Sequence, residues 1–344
     1  MGVLKDGLRR ASFNVKDLNV SGQVTGNVAN SAMVSGKGNT WYVDASKATG
    51  ASGDGTTWDE AVITIQEAVT LAGAGDVVYV AAQDNTSYDT DPVSYEENVI
   101  IPYATSNLAL VGVSRGRTQG GLPQMKVSTA ASPIITVRAP GCLIANIGIN
   151  GAGGTGGGIL LDGNNTTKAA FGTSIVGCHL KNCKVTTTSA QSGGAINGGS
   201  DQTPWQVLIS GCRFYKNEVD ICVVGTETVP QDWVIEDCVM SGPAANVNCN
   251  MWLTGGGSGI NGVSINNCVF QELGTKGTTD RYIDATGCTG TLSNCTFGCA
   301  TNDAGTTITF GAAGSGALIP TTMHMMNNFG QTGTANESGE IIRT

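Results

Sequence analysis

Ile209-Ser210-Gly211-Cys212-Arg213-Phe214, Ile235-Glu236-Asp237-Cys238-Val239-Met240 and Ile265-Asn266-Asn267-Cys268-Val269-Phe270 share one short pattern. It reads apolar, any, Gly/Asn/Asp, Cys or Ile, any, apolar. Three more copies begin at Ile144, Ile175 and Leu292. Their fourth positions are Ile147, Cys178, Cys212, Cys238, Cys268 and Cys295, with steps of 31, 34, 26, 30 and 27 residues. Looser copies lie at Leu108–Val113 and Met323–Phe329. Self-similarity at such a period marks an architecture of stacked units.

Alternate side chains of a strand face opposite sides, so the first apolar residue and the Gly/Asn/Asp share a parity. The Cys and the last apolar residue share the other. Both apolar flanks point inward only if the chain bends between them. Glycine has no Cβ, and Asn and Asp tolerate left-handed backbone, so these residues suit such a corner. Stacked as parallel strands, the copies place Cys178, Cys212, Cys238, Cys268 and Cys295 in an internal ladder. Irregular steps put variable loops near Gly151–Gly158, Ser189–Thr203 and Thr254–Gly259. A coil of about 25–30 residues predicts an all-β, right-handed parallel β-helix, in which each coil depends on its neighbours for burial. Leucine-rich, hexapeptide and propeller repeats lack their signatures here; a β-sandwich is the alternative.

Composition agrees with a turn-rich chain. Of 344 residues, 50 are Gly, twice the usual ~7 %. Charged residues make up 13 % and hydrophobic ones 40 %, which argues against disorder. With 18 Lys+Arg against 27 Asp+Glu and a net charge of −9, nucleic acid is not expected as a partner. No apolar run approaches the roughly 18 residues of a membrane helix, and the start, MGVLKDGLRR, does not read as a secretory signal. The 11 cysteines read as reduced, buried thiols. No cofactor or metal site is expected: Asp162 with Asn164 could hold calcium, but the D-G-N-N stretch they sit in reads as a turn.

Ahead of the repeats, Thr64 and Glu67 fit a capping box, and Ile65, Ala68, Val69 and Ala72 form one apolar face. A helix near 64–73, ended by Gly73 or Gly75, is expected to cap the solenoid, with a strand over Gly75–Val80 after it. The segments WYVDAS, GTTWDEAVITIQEAV and GDVVYVAA, within Thr40–Ala82, resemble the opening of pectin-lyase-like β-helix proteins. That superfamily includes bacteriophage tailspike and virion proteins as well as polysaccharide lyases and glycosidases. The resemblance implies the fold over residues 40–330, with trimerisation common among viral members. Residues 1–39 read as an arm, where Phe13, Val15, Leu18 and Val20 would serve attachment or assembly, and 331–344 as a loose tail.

Hydrolysis of a glycan would need two carboxyl groups about 5–9.5 Å apart. The candidates on consecutive coils are Glu218, Asp220, Glu236 and Asp237, with Glu218 and Asp220 placed by parity on one face; Asp232, Asp280 and Asp284 are weaker. The favoured reading of all of them is as solvated surface acids. Trp205, Trp233 and Trp252 are candidates for a sugar-stacking strip, set against the favoured reading that they serve packing or subunit contacts. The motifs that the resemblance would carry for hydrolases (N-x-D, Asp-Asp, G-H-G, R-x-K) do not occur, His179 and His324 lie in other contexts, and Arg138, Arg213 and Arg281 lack a lyase setting. His179 reads as an outward strand residue. The reading is therefore a non-enzymatic component of a bacteriophage virion, a homotrimer contacting other virion proteins through residues 1–39. The alternatives are a tailspike that binds or cleaves host glycan and a secreted polysaccharide lyase.

Overall fold

The computed structural model describes residues 38–47, 52–83, 95–114, 121–163, 168–184, 194–199, 204–223, 230–241, 249–253, 259–271, 281–298, 310–311, 317–331 and 338–340. Phe13, Val15, Leu18 and Val20 lie outside them, as do Asn164, Asp280 and Cys299.

The chain winds as a right-handed parallel β-helix. From Val77 to Phe297 successive turns contribute one strand to each of three sheets, which number 10, 10 and 9 strands in all. One turn runs from Leu143–Ala145 on the first sheet to Gly148–Asn150 on the second and Ile159–Leu161 on the third; the next begins at Ser174–Val176. Pairing between turns is parallel and in register: Leu143 faces Ser174, Gly148 faces His179, and Ile159 faces Ile196. The loop expected over Ser189–Thr203 contains the third-sheet strand Ile196–Gly198. With three residues, that strand is too short for its periodicity to stand out.

The corner between first and second sheets is the repeat's third position. Asn146, Gly177, Gly211, Asp237, Asn267, Asn294 and Asn327 all have φ between 52° and 64°. A β-carbon costs roughly 1–2 kcal/mol in this left-handed region, which is why the position is restricted to Gly, Asn and Asp. The bend turns Ile175, Cys178 and Leu180 inward together, all at most 1 % exposed. Aromatic side chains of the core pack on one another: Phe270 and Phe297 of adjacent turns stack at 4.6 Å, with Tyr282 edge-on to both.

Helix α1 (Ile65–Leu71) packs Ile65, Ala68 and Val69 into the core, and Ala72 and Gly73 follow its end. Thr64 Oγ1 accepts from Glu67 N at 3.2 Å. The reciprocal half of the capping box is absent, because the Glu67 carboxylate accepts from Ser52 Oγ instead. Two further free amides of the helix, Ile65 N and Gln66 N, donate to Glu97 at 2.8 Å. Burial raises the Glu97 carboxyl above its ordinary value.

The outer edge of the first strand, Thr40–Val43, is covered by residues 53–62. Tyr42 N donates to Gly55 O, Val62 N to Tyr42 O and Asp44 N to Val62 O. Asp76 fastens this end, accepting from Asn39 N, Trp41 Nε1 and Gly73 N. These donors hold its carboxyl below the usual value although burial opposes them. At the far end, Ser338–Glu340 pairs antiparallel with Phe329–Gln331. Part of the expected loose tail is therefore a strand, and the reversed direction ends the parallel stacking of the second sheet.

Candidate functional site

The four candidate acids occupy four different settings. Asp220 is turned inward and only 3 % exposed. It lies just before the third-sheet strand Ile221–Val223, where Asn217 Nδ2 donates to Oδ1 at 2.9 Å and Asn250 Nδ2 to Oδ2 at 2.8 Å. Asn217 in turn accepts from Cys183 N and donates to Leu180 O. Burial raises the Asp220 carboxyl to about 7, against the pull of Asn250 and Asn217. Glu218 is half-buried, so the two acids do not share an open face. The reversal comes from the loop between the second and third sheets, where strict alternation fails.

Glu236 accepts from Ser210 Oγ on the outer face of the first sheet at 3.2 Å. Asp237 holds a corner and accepts from Asn267 Nδ2 at 2.6 Å. Both acids therefore belong to ladders running along the solenoid. Further along the same face, Asn294 Nδ2 donates to Asn266 Oδ1 and Asn327 Nδ2 to Asn294 Oδ1. Asp284 accepts from Thr286 N and Oγ1.

The tryptophans form no strip. Trp233 is fully buried, and its Nε1 donates to Pro204 O at 2.8 Å. Its bulk fills the core beside the first sheet, and the indole N–H has the partner that burial demands. Trp205 is exposed, whereas Trp252 is half-buried on the third sheet against Val219 and Cys222.

Asp162 accepts from Arg138 Nε at 3.0 Å and lies 3.2 Å from Lys168 Nζ. Two cations already neutralise this carboxylate, which is the wrong electrostatic setting for calcium. Among the described residues no group of three or more His, Cys, Asp or Glu side chains is arranged to hold a metal ion.

The outer face of the second sheet carries a different chemistry. His179 faces outward as expected, yet is 7 % exposed, and its Nδ1 has no hydrogen-bond partner. Lys181 lies two residues along, while Arg213 is the register partner of His179 on the next turn. Burial, then the charges of Lys181 and Arg213, lowers His179 to about 4, so its ring is neutral near pH 7. Gln124 reaches over Gly148 toward this face, where a β-carbon would stand 2.1 Å from its Nε2. Glycine is required at 148 for that close approach. Asn217, Asn250 and Gln124 carry no sequence pattern that singles them out; only their burial does.

The cysteine ladder is internal. Cys178, Cys212, Cys238, Cys268 and Cys295 are each at most 1 % exposed, and the ten described cysteines are all free thiols. Hydrogen bonding from Cys212 lowers Cys178, and bonding from Cys238 and then Cys295 lowers Cys268 against burial. Cys212 is raised by its contacts with Cys178 and Cys238 and by burial. Away from the ladder, Cys142, Cys183, Cys222 and Cys288 are pushed up to about 12, burial being the main cause.

No protein-family model matches the chain, and no curated protein matches it. Among solved structures, the chain is similar to the deglycosylated pectin methylesterase of Aspergillus niger, with 16% identity over 88% of this chain and 91% of that one, at a TM-score of 0.46. It is similar to pectate lyase Pel9A, with 12% identity over 87% and 78% of the two chains and a TM-score of 0.49. A third likeness is to Geobacillus virus E2 ORF18, at 16% identity and a TM-score of 0.49, covering 87% of this chain and 62% of that one. The parallel β-helix rests on this chain's own strand pairing.

Proposed function

We propose that this chain is a structural β-helix component of a bacteriophage particle, assembled as a homotrimer and attached through residues 1–39. The observation that carries the reading is the engagement of the candidate acids: Asp220 is locked between two buried amides, while Glu236 and Asp237 are members of surface ladders. Their geometry serves coil-on-coil stability, as an exposed rod requires. The assignment to a phage particle draws on the opening segment between Thr40 and Ala82.

The test deletes residues 1–39 and follows incorporation into particles by immunoblot and electron microscopy, with solution mass as a second measurement. The reading expects a folded rod absent from particles, and a full-length mass three times that of one chain. Full incorporation of the truncated protein overturns the attachment role, and a monomeric mass overturns the trimer.

A glycan-binding tailspike is the second reading, favoured by the exposed Arg213 on the outer face beside the buried His179 and Lys181. It expects binding to an acidic glycan that Arg213→Ala abolishes. Unchanged binding in that variant removes the face as its site.

A further inference from the structure

The position just after the corner accepts different side chains along the solenoid. Ile147 occupies it one turn before Cys178, and Asn328 one turn after Cys295, as the flanking strand pairs fix. Core packing therefore does not require sulfur there, yet five consecutive turns supply it.

The five thiols superpose by translation. Backbone bonds join the turns at the ladder itself: Arg213 N donates to Cys178 O, Val239 N to Cys212 O, Val269 N to Cys238 O and Thr296 N to Cys268 O, all at 2.9–3.0 Å. Each sulfur contacts the carbonyl two residues earlier, at 3.1–3.6 Å. Each also contacts one carbonyl of the preceding turn, at 3.5–4.0 Å. Identical contacts mean identical side-chain orientation, so successive sulfurs are displaced by one strand spacing, about 4.8 Å.

That spacing has a chemical meaning. A disulfide wants its β-carbons about 3.8 Å apart, closer than parallel translation leaves them. A zinc–thiolate bond is about 2.3 Å and a two-coordinate copper(I)–thiolate bond is slightly shorter, so two such bonds in a line span slightly less than about 4.6 Å. That is within a few tenths of an ångström of the strand spacing. Soft thiolate ligands select copper(I), zinc and iron–sulfur clusters. Zinc takes four tetrahedral ligands, which a line of two sulfurs does not supply, and a linear two-sulfur site suits copper(I). We propose that the column Cys178–Cys212–Cys238–Cys268–Cys295 is a binding site for a soft d10 cation of the copper(I) class, each ion held in a line between sulfurs of successive turns. The site is linear, two sulfurs to an ion, and so differs from a three-ligand centre. Binding one ion breaks one S–H bond and forms two S–metal bonds. The first sulfur becomes a thiolate whose proton leaves to solvent, while the second thiol donates a lone pair. The buried unit is then uncharged, as a low-dielectric core demands, and nothing is oxidised.

Two double variants with equal thiol counts test adjacency alone. Cys212→Ala with Cys268→Ala leaves three ladder thiols, none on neighbouring turns. Cys178→Ala with Cys295→Ala leaves three contiguous ones. Full-length reduced protein, produced with copper and also titrated anaerobically with copper(I) against a chromophoric chelator, should bind copper in the wild type and the contiguous variant. The alternating variant should lose binding, with circular dichroism and melting curves showing both variants folded. Equal binding by the two variants, or none by the wild type under either loading, overturns the proposal. X-ray absorption of copper-loaded wild type gives a readout independent of the variants: two sulfur neighbours are expected, at a distance below the roughly 2.3 Å of a zinc–thiolate bond, and a shell of three or more ligands rejects the linear site.

Discussion

Asn267 stands directly on Asp237, one turn apart at the same corner, and its Nδ2 donates to Asp237 Oδ1 at 2.6 Å. Both residues have left-handed backbone, with φ of 52° and 54°. A single residue type thus meets two demands, a dihedral angle and a bond to the turn before.

Substitution at the corner should separate those demands. Asn267→Ala loses the side-chain bond and keeps the backbone penalty, costing about 2 kcal/mol. Asn267→Gly loses the bond but relieves the backbone, so its cost should be smaller. Thermal melts of the two variants should rank Gly above Ala, and the reverse order would refute the dihedral argument.

Stability should respond to pH through Asp220. Its carboxyl lies at about 7 in the folded chain against an ordinary 3.8, so between these values the folded state binds more protons than the unfolded. The contribution of this group is greatest below pH 4 and is lost as pH rises through 7. The loss has an upper bound of about 4 kcal/mol. Asp220→Asn removes the titration, so the wild type should lose stability relative to the variant from pH 4 to 7. Denaturant midpoints across that range check the sign.

His179 should act in the opposite sense. Its value falls from 6.5 to about 4 on folding, so the unfolded chain takes up the proton first as pH drops. Stability from this group is intact above pH 6.5 and is lost as pH falls through 4, by at most about 3 kcal/mol. His179→Gln should flatten the acid side of the profile, and nuclear magnetic resonance titration of the ring should show no midpoint above 5.

Trp233 and Trp205 should differ sharply. Trp233→Phe removes core volume and leaves Pro204 O without its donor, at a cost of about 2–3 kcal/mol. Trp205→Ala acts on a residue 49% exposed and should fall within about 0.5 kcal/mol. Acrylamide should quench Trp205 and spare Trp233 in single-tryptophan variants.

The winding of the chain was legible because its causes are local and repeated. Gly, Asn or Asp is needed at each corner, and the residue beside it is apolar or Cys in the turns from Ile147 to Cys295, with Asn328 in the last. The helix was legible for the same reason: Thr64 and the Ile65, Ala68, Val69 face are set within a few residues. Glu97 was not, because it reaches α1 from 32 residues away. The neighbours of Asp220 were hidden likewise, since Asn250 joins it only after a full turn of the solenoid. Trp233 looked like any other aromatic until the fold placed Pro204 beside its N–H. Sequence alone therefore determined the repeat, its corners and the thiol column, which follow from backbone angles and side-chain parity. Tertiary structure decided which acids and aromatics face inward and which partners they meet, because those contacts join residues that only stacking brings together.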